Sequence, residues 1–205
     1  MKLKKCRLCD SIKFSGLFSL GNLSFTGKFA NNVKQNIPKK EIHLVICNHC
    51  KLVQLNKDFN PKYLYGKDYG YRTGLNQTMT DHVKLIAHDA QKLSKIQKGD
   101  FVLDIASNDG TMLNCYSKNL VTVGIDPILS KFKKFYNEIN YKVPDFFSLN
   151  ALKKRKLNKK YKIISALSVF YDLKDPNKFL TDIKKILHKD GVFILEHADL
   201  LSIVK

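Results

Sequence analysis

The chain has very little arginine, the residue whose planar side chain binds phosphates and base edges through two parallel hydrogen bonds. Only three of its 36 Lys and Arg residues are arginine, although the formal net charge is +18. The lysines are also spread along the chain rather than gathered in one stripe. We therefore interpret the charge as a solvated, lysine-rich surface rather than as the nucleic-acid-binding face that such a charge can indicate.

Long apolar segments are also missing. No stretch approaches the roughly 18 consecutive apolar residues of a membrane-spanning helix. The basic N-terminus MKLKKCRLCD lacks the apolar region of a signal peptide. We therefore expect a cytoplasmic protein with no membrane partner, and in that reducing compartment paired cysteines indicate a metal site rather than disulfides.

Four cysteines in two C-x-x-C pairs form the strongest pattern: Cys6 with Cys9, and Cys47 with Cys50. Each pair presents two thiolates along one edge of a tetrahedron, so two pairs complete a closed zinc site. Unliganded buried thiols, a redox pair or a cluster site are the alternatives. We expect structural zinc in a module of residues 1–60 that is too small to fold without metal.

The segments around the second pair have the apolar residues of strands. Residues 41–46 and 51–55 predict a hairpin with the cysteines at its tip. Residues 21–40, which contain glycine and proline, are predicted to be loop. After a connector rich in tyrosine and glycine, apolar residues between positions 83 and 96 fall on one helical face. The residues predicted for that face are Val83, Ile86, Ala87, Ala90, Leu93 and Ile96.

Strands and helices alternate in the second half of the chain. The predicted strands are 101–106, 121–125, 141–143, 161–167 and 191–195. The predicted helices between them are 111–118, 130–139 and 177–187. This alternation predicts an α/β fold with a parallel, Rossmann-like sheet and right-handed crossovers.

The sequence A-S-N-D-G at residues 106–110 follows the first of these strands. A strand that runs into a small, glycine-containing turn and then a helix is typical of nucleotide-binding sheets. Gly110 permits close approach of the backbone, and the N-terminus of the next helix offers unpaired N–H groups to an anionic group.

Acidic residues follow the next two strands, at the sheet edge where ligands bind. Asp126 is placed to accept hydrogen bonds from ribose hydroxyls, and Asp145 is placed to meet an adenine amino group. A plain turn with capping acids is the alternative. NAD would require G-x-G-x-x-G and both halves of a sheet, whereas S-adenosylmethionine (SAM) requires only the first half.

In this order the motifs resemble those of the SAM-dependent C-methyltransferases that act on nucleotide-linked deoxysugars. The matching segments are CRLCDS, CNHCKLVQL, YGKDYGYRTGLNQTM, VLDIASNDGTML, GIDPI, DFFS, SVFYDLKDP and IKKILHKDGVFILE. The resemblance implies a zinc-binding module at 1–60, a connector and helix at 61–98, and a class I methyltransferase Rossmann-like domain at 99–205.

The resemblance also implies roles for individual residues. The zinc ligands would be Cys6, Cys9, Cys47 and Cys50. The SAM-binding residues would be Ala106, Ser107, Asn108, Gly110, Asp126, Asp145 and Phe146. The residues that close over the site and contact the substrate would be Tyr69 and Tyr71.

The family continues beyond the position of Lys205, with two more strands and a His-Glu-His segment that supplies a candidate general base. We therefore expect a truncated domain whose last strand is an exposed edge, so that the chain self-associates or needs a second polypeptide. The expected function is C-methylation of a nucleotide-linked sugar or similar small substrate by SAM. The alternatives are a catalytically weak SAM-binding protein or half of a split enzyme, and a basic zinc-ribbon protein that binds nucleic acid.

Overall fold

The computed structural model describes residues 3–25, 30, 32–66 and 69–203, with only the backbone of residues 201 and 203. The chain divides into two compact units. One comprises Met1–Gly70 with Lys174–Lys178, and the other comprises Tyr71–Leu173 with Phe179–Lys205. None of the described helices has the length and apolar content needed to cross a bilayer.

The first unit contains a three-stranded antiparallel sheet in the order β1-β2-β3. Its elements are β1 (Phe14–Ser24), β2 (Lys39–Cys47), β3 (Val53–Leu55) and the short helix α1 (Pro61–Leu64). The predicted hairpin is confirmed as β2 and β3. The predicted loop at 21–40 is wrong at both ends, because β1 continues to Ser24 and β2 begins at Lys39. The side chains of β1 are largely exposed, and the strand is stabilised by its backbone pairing with β2. A local apolar pattern does not reveal such pairing.

The second unit contains a five-stranded parallel sheet in the order β6-β5-β4-β7-β8, which confirms the predicted α/β class. Its strands are β4 (Phe101–Ile105), β5 (Val121–Ile125), β6 (Tyr141–Val143), β7 (Tyr161–Leu167) and β8 (Leu187–Glu196). The α-helices from residue 71 onward are α2 (Gln77–Ser94), α3 (Leu149–Lys154), α4 (Pro176–Ile186) and α5 (Leu200–Ile203).

The strand registers bring the carboxyl ends of the central strands to one edge. Ile105 lies opposite both Ile125 and Ala166, and Leu167 lies opposite Glu196. The three central strands β5, β4 and β7 are buried on both faces, as near-continuous apolar runs predict. The turns that carry polar residues therefore emerge side by side at the carboxyl edge, where open α/β sheets bind ligands.

Two of the predicted helices are wrong. The segment 111–118 contains only the 3₁₀ turn Leu113–Cys115, and the segment 130–139 overlaps the 3₁₀ helix Leu129–Phe135, which is irregular at Phe132. Neither has a side-chain hydrogen bond at its N-cap, and so short an α-helix is difficult to nucleate. Sequence analysis missed α3, which begins where Ser148 accepts a hydrogen bond from the backbone of Ala151 over 3.1 Å.

The predicted amphipathic helix is confirmed as α2, and Val83, Ala87 and Ala90 are buried on it. Leu93 was expected on the same face but is 73 % exposed. The buried residue after Ala90 is Ser94, four positions later on the same face of α2, so Leu93 points to solvent.

Candidate functional site

The two cysteine pairs of the first unit converge on one point. The Sγ atoms of Cys6 and Cys50 are 3.5 Å apart, and those of Cys9 and Cys47 are 3.6 Å apart. All four lie within 4.8 Å of one another. Four sulfurs around zinc at about 2.3 Å would be separated by roughly 3.8 Å along each tetrahedral edge. The thiols therefore fit one zinc ion.

Side chains of β3 and of the residues after it support the first cysteine pair. The Gln54 amide donates to Cys6 Sγ over 3.2 Å, and Arg7 forms an ion pair with Asp58 over 2.7 Å. Burial of Cys6 opposes its ionisation, but hydrogen bonds from the Cys9 backbone and Gln54 outweigh burial and lower its pKa to about 6. The thiolate form that binds metal is thereby favoured at Cys6. At Cys50 the Leu52 backbone lowers the pKa, but burial and hydrogen bonds with the other three thiols outweigh it and raise the pKa to about 12. His49, between the two cysteines of the second pair, is exposed.

The turn after β4 carries an unusual run of left-handed residues. Ala106 has φ 59°, Asn108 has φ 49° and Gly110 has φ 77°. The first two are not glycine, so this conformation is strained and must be held by its surroundings. Such strain is concentrated at ligand-binding turns, and this turn lies at the carboxyl edge of the central strand.

Gly110 is required by packing inside the protein. A Cβ atom added there would lie 2.6 Å from Ile139 Cδ1 and 3.3 Å from the ring of Tyr136. Its positive φ also disfavours any side chain. The side of Gly110 that would carry a side chain is therefore occupied by this unit's own residues.

Ser107 also points inward. Its hydroxyl is 2.8 Å from the Tyr136 hydroxyl, which itself donates to the Asn108 carbonyl oxygen over 2.8 Å. The Ser107 hydroxyl is therefore the donor to Tyr136. Burial raises the pKa of Tyr136 well above its ordinary value, so Tyr136 remains a donor at neutral pH. The hydroxyls of Ser107 and Tyr136 therefore stabilise the turn from the interior of the unit.

Asp126, directly after β5, is only 5 % exposed. One carboxylate oxygen accepts the Asn108 backbone N–H over 2.9 Å, and the other accepts the Ile128 backbone N–H over 2.8 Å. Burial raises the Asp126 pKa to about 6, against these two hydrogen bonds, which lower it. Each oxygen retains one lone pair for another donor.

The end of β6 brings Asp145, the second predicted acid, to the same edge of the sheet. The Val143 carbonyl oxygen accepts the backbone N–H groups of both Asp126 and Asp145, over 3.1 and 2.9 Å. Asp145 is exposed and Phe146 is half-buried. An exposed carboxylate beside an aromatic ring has the chemistry to meet an adenine amino group and base plane.

Residues 71–74, which we call the strap, dock on the turn. The Asn108 side chain donates to the Tyr71 carbonyl oxygen over 3.1 Å and accepts the Thr73 N–H over 3.0 Å. Asp109 accepts the Gly74 N–H over 3.0 Å, and its carboxylate lies 3.6 Å from Arg72 Nε. The strap therefore holds the turn through the side chains of Asn108 and Asp109.

Sequence reasoning assigned no role to Asp109, Arg72 or Tyr136. The Arg72 guanidinium also lies 4.1 Å above the centre of the Phe135 ring. Of these three residues only Asp109 offered a local signal, as the acidic residue inside the A-S-N-D-G turn. The residues that the three contact are far from them in sequence. Of the two predicted substrate-contacting tyrosines, Tyr71 belongs to the strap with its side chain 45 % exposed, and the ring of Tyr69 packs against that of Tyr65 at 5.4 Å.

Comparison with known proteins identifies two domains in the chain. Residues 6–65 match a family described as a zinc binding domain, and residues 77–202 match a family described as a methyltransferase domain. No curated protein matches the chain significantly. The two family matches confirm the expected zinc module and methyltransferase fold, and with them zinc and SAM as the cofactors.

Several solved methyltransferases are similar to just over half of the chain. A SAM-dependent methyltransferase from Clostridium acetobutylicum is 17 % identical with a TM-score of 0.45, over 57 % of this chain and 49 % of that chain. Coclaurine N-methyltransferase bound to N-methylheliamine and SAH is 19 % identical with a TM-score of 0.43, over 57 % and 35 %. The plantazolicin methyltransferase BpumL in complex with SAH is 21 % identical with a TM-score of 0.43, over 55 % and 44 %. The chain thus spans about a third to a half of their lengths.

Proposed function

Because the chain belongs to the methyltransferase domain family, we propose that it binds SAM at the carboxyl edge of its parallel sheet and transfers the methyl group to a small acceptor. One observation carries this proposal. The turn after β4 and the acid after β5 are joined directly, because Asp126 accepts the backbone N–H of Asn108. This junction lies at the carboxyl edge, where open α/β sheets bind nucleosides.

The residues at this edge fit an adenosine. Asp126 is the acceptor proposed for the ribose hydroxyls, through the lone pair that each oxygen retains. Asp145 and Phe146 are proposed for the adenine, and the backbone of the turn at residues 106–110 for the methionine part. In this arrangement Ser107 acts from beneath the turn, through its hydrogen bond to Tyr136.

For the acceptor, we propose C-methylation of a nucleotide-linked sugar or a similar small molecule, as the resemblance of the whole motif order supports. SAM supplies a methyl group on a positively charged sulfur, which needs no further activation. The chain's own residues would then orient the acceptor and remove a proton from its carbon. Tyr69 and Tyr71 are proposed to contact this acceptor.

Isothermal titration of the full chain with SAM, SAH and NAD tests the cofactor assignment. We expect saturable binding of SAM and SAH with one site per chain. NAD should bind more weakly, because the A-S-N-D-G turn lacks the glycine spacing of dinucleotide sites. Tighter binding of NAD than of SAM would overturn the proposed function.

We also propose a cytoplasmic location, because the four clustered thiols require a reducing compartment to remain metal ligands. Association with a second chain remains a prediction. Within the part of the chain that the structure describes, β8 pairs with β7 alone, and an open edge invites further strands. Light scattering would show a monomer if β8 does not associate.

A further inference from the structure

A second group of polar side chains lies at the ends of β7 and β8. His82 on α2 forms an ion pair through Nε2 with Oε2 of Glu196, the last residue of β8. The other oxygen of Glu196 accepts the Ser168 hydroxyl over 3.2 Å, and the Glu196 carbonyl oxygen accepts the Ser168 N–H over 3.1 Å. Both carboxylate oxygens of Glu196 are therefore engaged, which fixes the direction in which it faces His82.

Ser168 and two aromatic rings extend this group. Ser168 has φ 52°, a strained conformation for a residue other than glycine. The ring of Tyr171 is stacked on that of His197 with centroids 5.6 Å apart. Burial raises the pKa of Tyr171, and the charges of Asp172 and Glu196 add to this, against a hydrogen bond with Ser168. The residues thus share one electrostatic environment.

This group adjoins the proposed cofactor site. Ala166 of β7 pairs with Ile105 of β4, and Leu167 of β7 pairs with Glu196. Ser168 and Glu196 therefore leave the sheet at the same edge as the turn at residues 106–110, on the strands that follow β4 in the sheet order. Acid–base side chains in this position lie on the half of the edge that the adenosine does not need.

We propose that His82, oriented by Glu196, is the general base that removes the proton from the methyl acceptor. This inference rests on the proposed function and extends it by naming a base among this chain's own residues, in place of the His-Glu-His segment that the resemblance implied. Because Glu196 Oε2 faces Nε2, it accepts the Nε2–H, and the ring is held as the tautomer whose Nδ1 carries the lone pair. No described residue makes a hydrogen bond with Nδ1, and 44 % of the side chain is exposed, so Nδ1 is accessible.

The proposed step balances for an acceptor carbon next to a ketone. The carbon–hydrogen bond breaks, and the proton moves to His82 Nδ1. The electron pair remains on the acceptor as an enolate, whose carbon then forms a bond to the methyl group. The carbon–sulfur bond to the methyl group breaks, and its electron pair stays on sulfur, which becomes the neutral thioether of SAH. The Glu196 carboxylate faces the ring through Nε2 throughout this step.

Histidine tautomers measured by ¹⁵N NMR on the full chain with saturating SAH test the geometry. We expect a protonated Nε2 and an unprotonated Nδ1 for neutral His82, and loss of this preference in Glu196→Ala. His88 on the same helix, which meets only its neighbour Asp89 in the described contacts, is the matched control and should not respond. A protonated Nδ1 in His82, or a tautomer unchanged by Glu196→Ala, would overturn the proposal.

Proton exchange tests the chemistry separately from methyl transfer. The probe is a nucleoside-diphosphate-linked keto-deoxysugar in D₂O with SAH, and the readout is deuterium at the carbon next to the ketone. His82→Gln, which keeps a donor toward Glu196, should slow exchange about 10²- to 10⁴-fold. Its affinity for SAH should change less than twofold, and His88→Gln should behave as wild type.

The outcomes separate the two proposals. Two results would overturn His82 as the base for this acceptor class. One is deuterium exchange that continues in His82→Gln, and the other is a wild-type chain that binds SAH but catalyses no exchange. Failure of the wild-type chain to bind SAM or SAH would instead overturn the proposed function.

Discussion

The backbone N–H of Asn108 donates to a carboxylate oxygen of Asp126 over 2.9 Å, and this bond joins the turn after β4 to the end of β5. The residue proposed to bind ribose therefore also holds the strained turn in place. Removing the carboxylate would disturb both functions at once. An amide substitution is the sharper probe, because it keeps one oxygen to accept an N–H while removing the charge.

Gly110→Ala should destabilise the protein more than Gly99→Ala does. Both glycines have a positive φ, 77° and 87°, so both alanines incur about 1–2 kcal/mol of backbone strain. Only at Gly110 does the new Cβ meet a neighbour, at 2.6 Å from Ile139, which adds roughly 1–3 kcal/mol of overpacking. Urea denaturation measures the stability of the two variants, and equal midpoints would refute the packing argument.

The purified chain should contain one zinc ion, bound by Cys6, Cys9, Cys47 and Cys50. Chelation should unfold the first unit, because a small sheet with exposed β1 buries too little surface to be stable alone. Metal analysis and amide hydrogen exchange measure these effects. Cys47→Ser should lose the zinc while His49→Ala should retain it, and a native chain without stoichiometric zinc would contradict the site.

Asp104 should make the protein less stable as the pH rises. Burial, opposed by the 2.6 Å hydrogen bond from Ser165 and reinforced by the charge of Asp126, raises the Asp104 pKa from 3.8 to about 7. The folded state therefore holds this proton more tightly than the unfolded state. The stability that this proton contributes is fully present below about pH 3.8, and it is lost as the pH rises through about 7.

Asp104→Asn removes this titration and still accepts from Ser165. The variant should be more stable than wild type by about 1–3 kcal/mol at pH 8, with a smaller advantage at pH 5. Urea midpoints at the two pH values measure the effect. An advantage that is the same at both would show that ionisation of Asp104 is not its cause.

The sheet could be predicted because its information is local. Each of β4, β5 and β7 is a short apolar run whose length and flanking turns are visible in the sequence. The cysteine spacing likewise carries the zinc site without knowledge of the fold. The thiol cluster and the parallel sheet are accordingly among the parts of the prediction that are confirmed.

The remaining features depend on contacts between distant residues. The bond from Asn114 to the Phe135 carbonyl oxygen ties the two 3₁₀ segments together, and no local pattern indicates it. The strap reaches the turn across 35 residues, and His82 meets Glu196 across 114. Such pairs become neighbours only once the parallel strands are aligned, so the turn could be predicted from the sequence but the residues that hold it could not.

Calorimetric titration of SAM into wild type, Asp126→Asn and Asp100→Asn tests the central claim most directly. Asp126 lies at the carboxyl edge of the sheet, whereas Asp100 precedes β4 at the opposite edge, and in the described contacts its carboxylate bonds only locally, to the Gln97 N–H. The account predicts that Asp126→Asn weakens SAM binding by about 1–3 kcal/mol and that Asp100→Asn leaves it unchanged. Equal affinities for all three proteins would contradict a SAM site at the carboxyl edge.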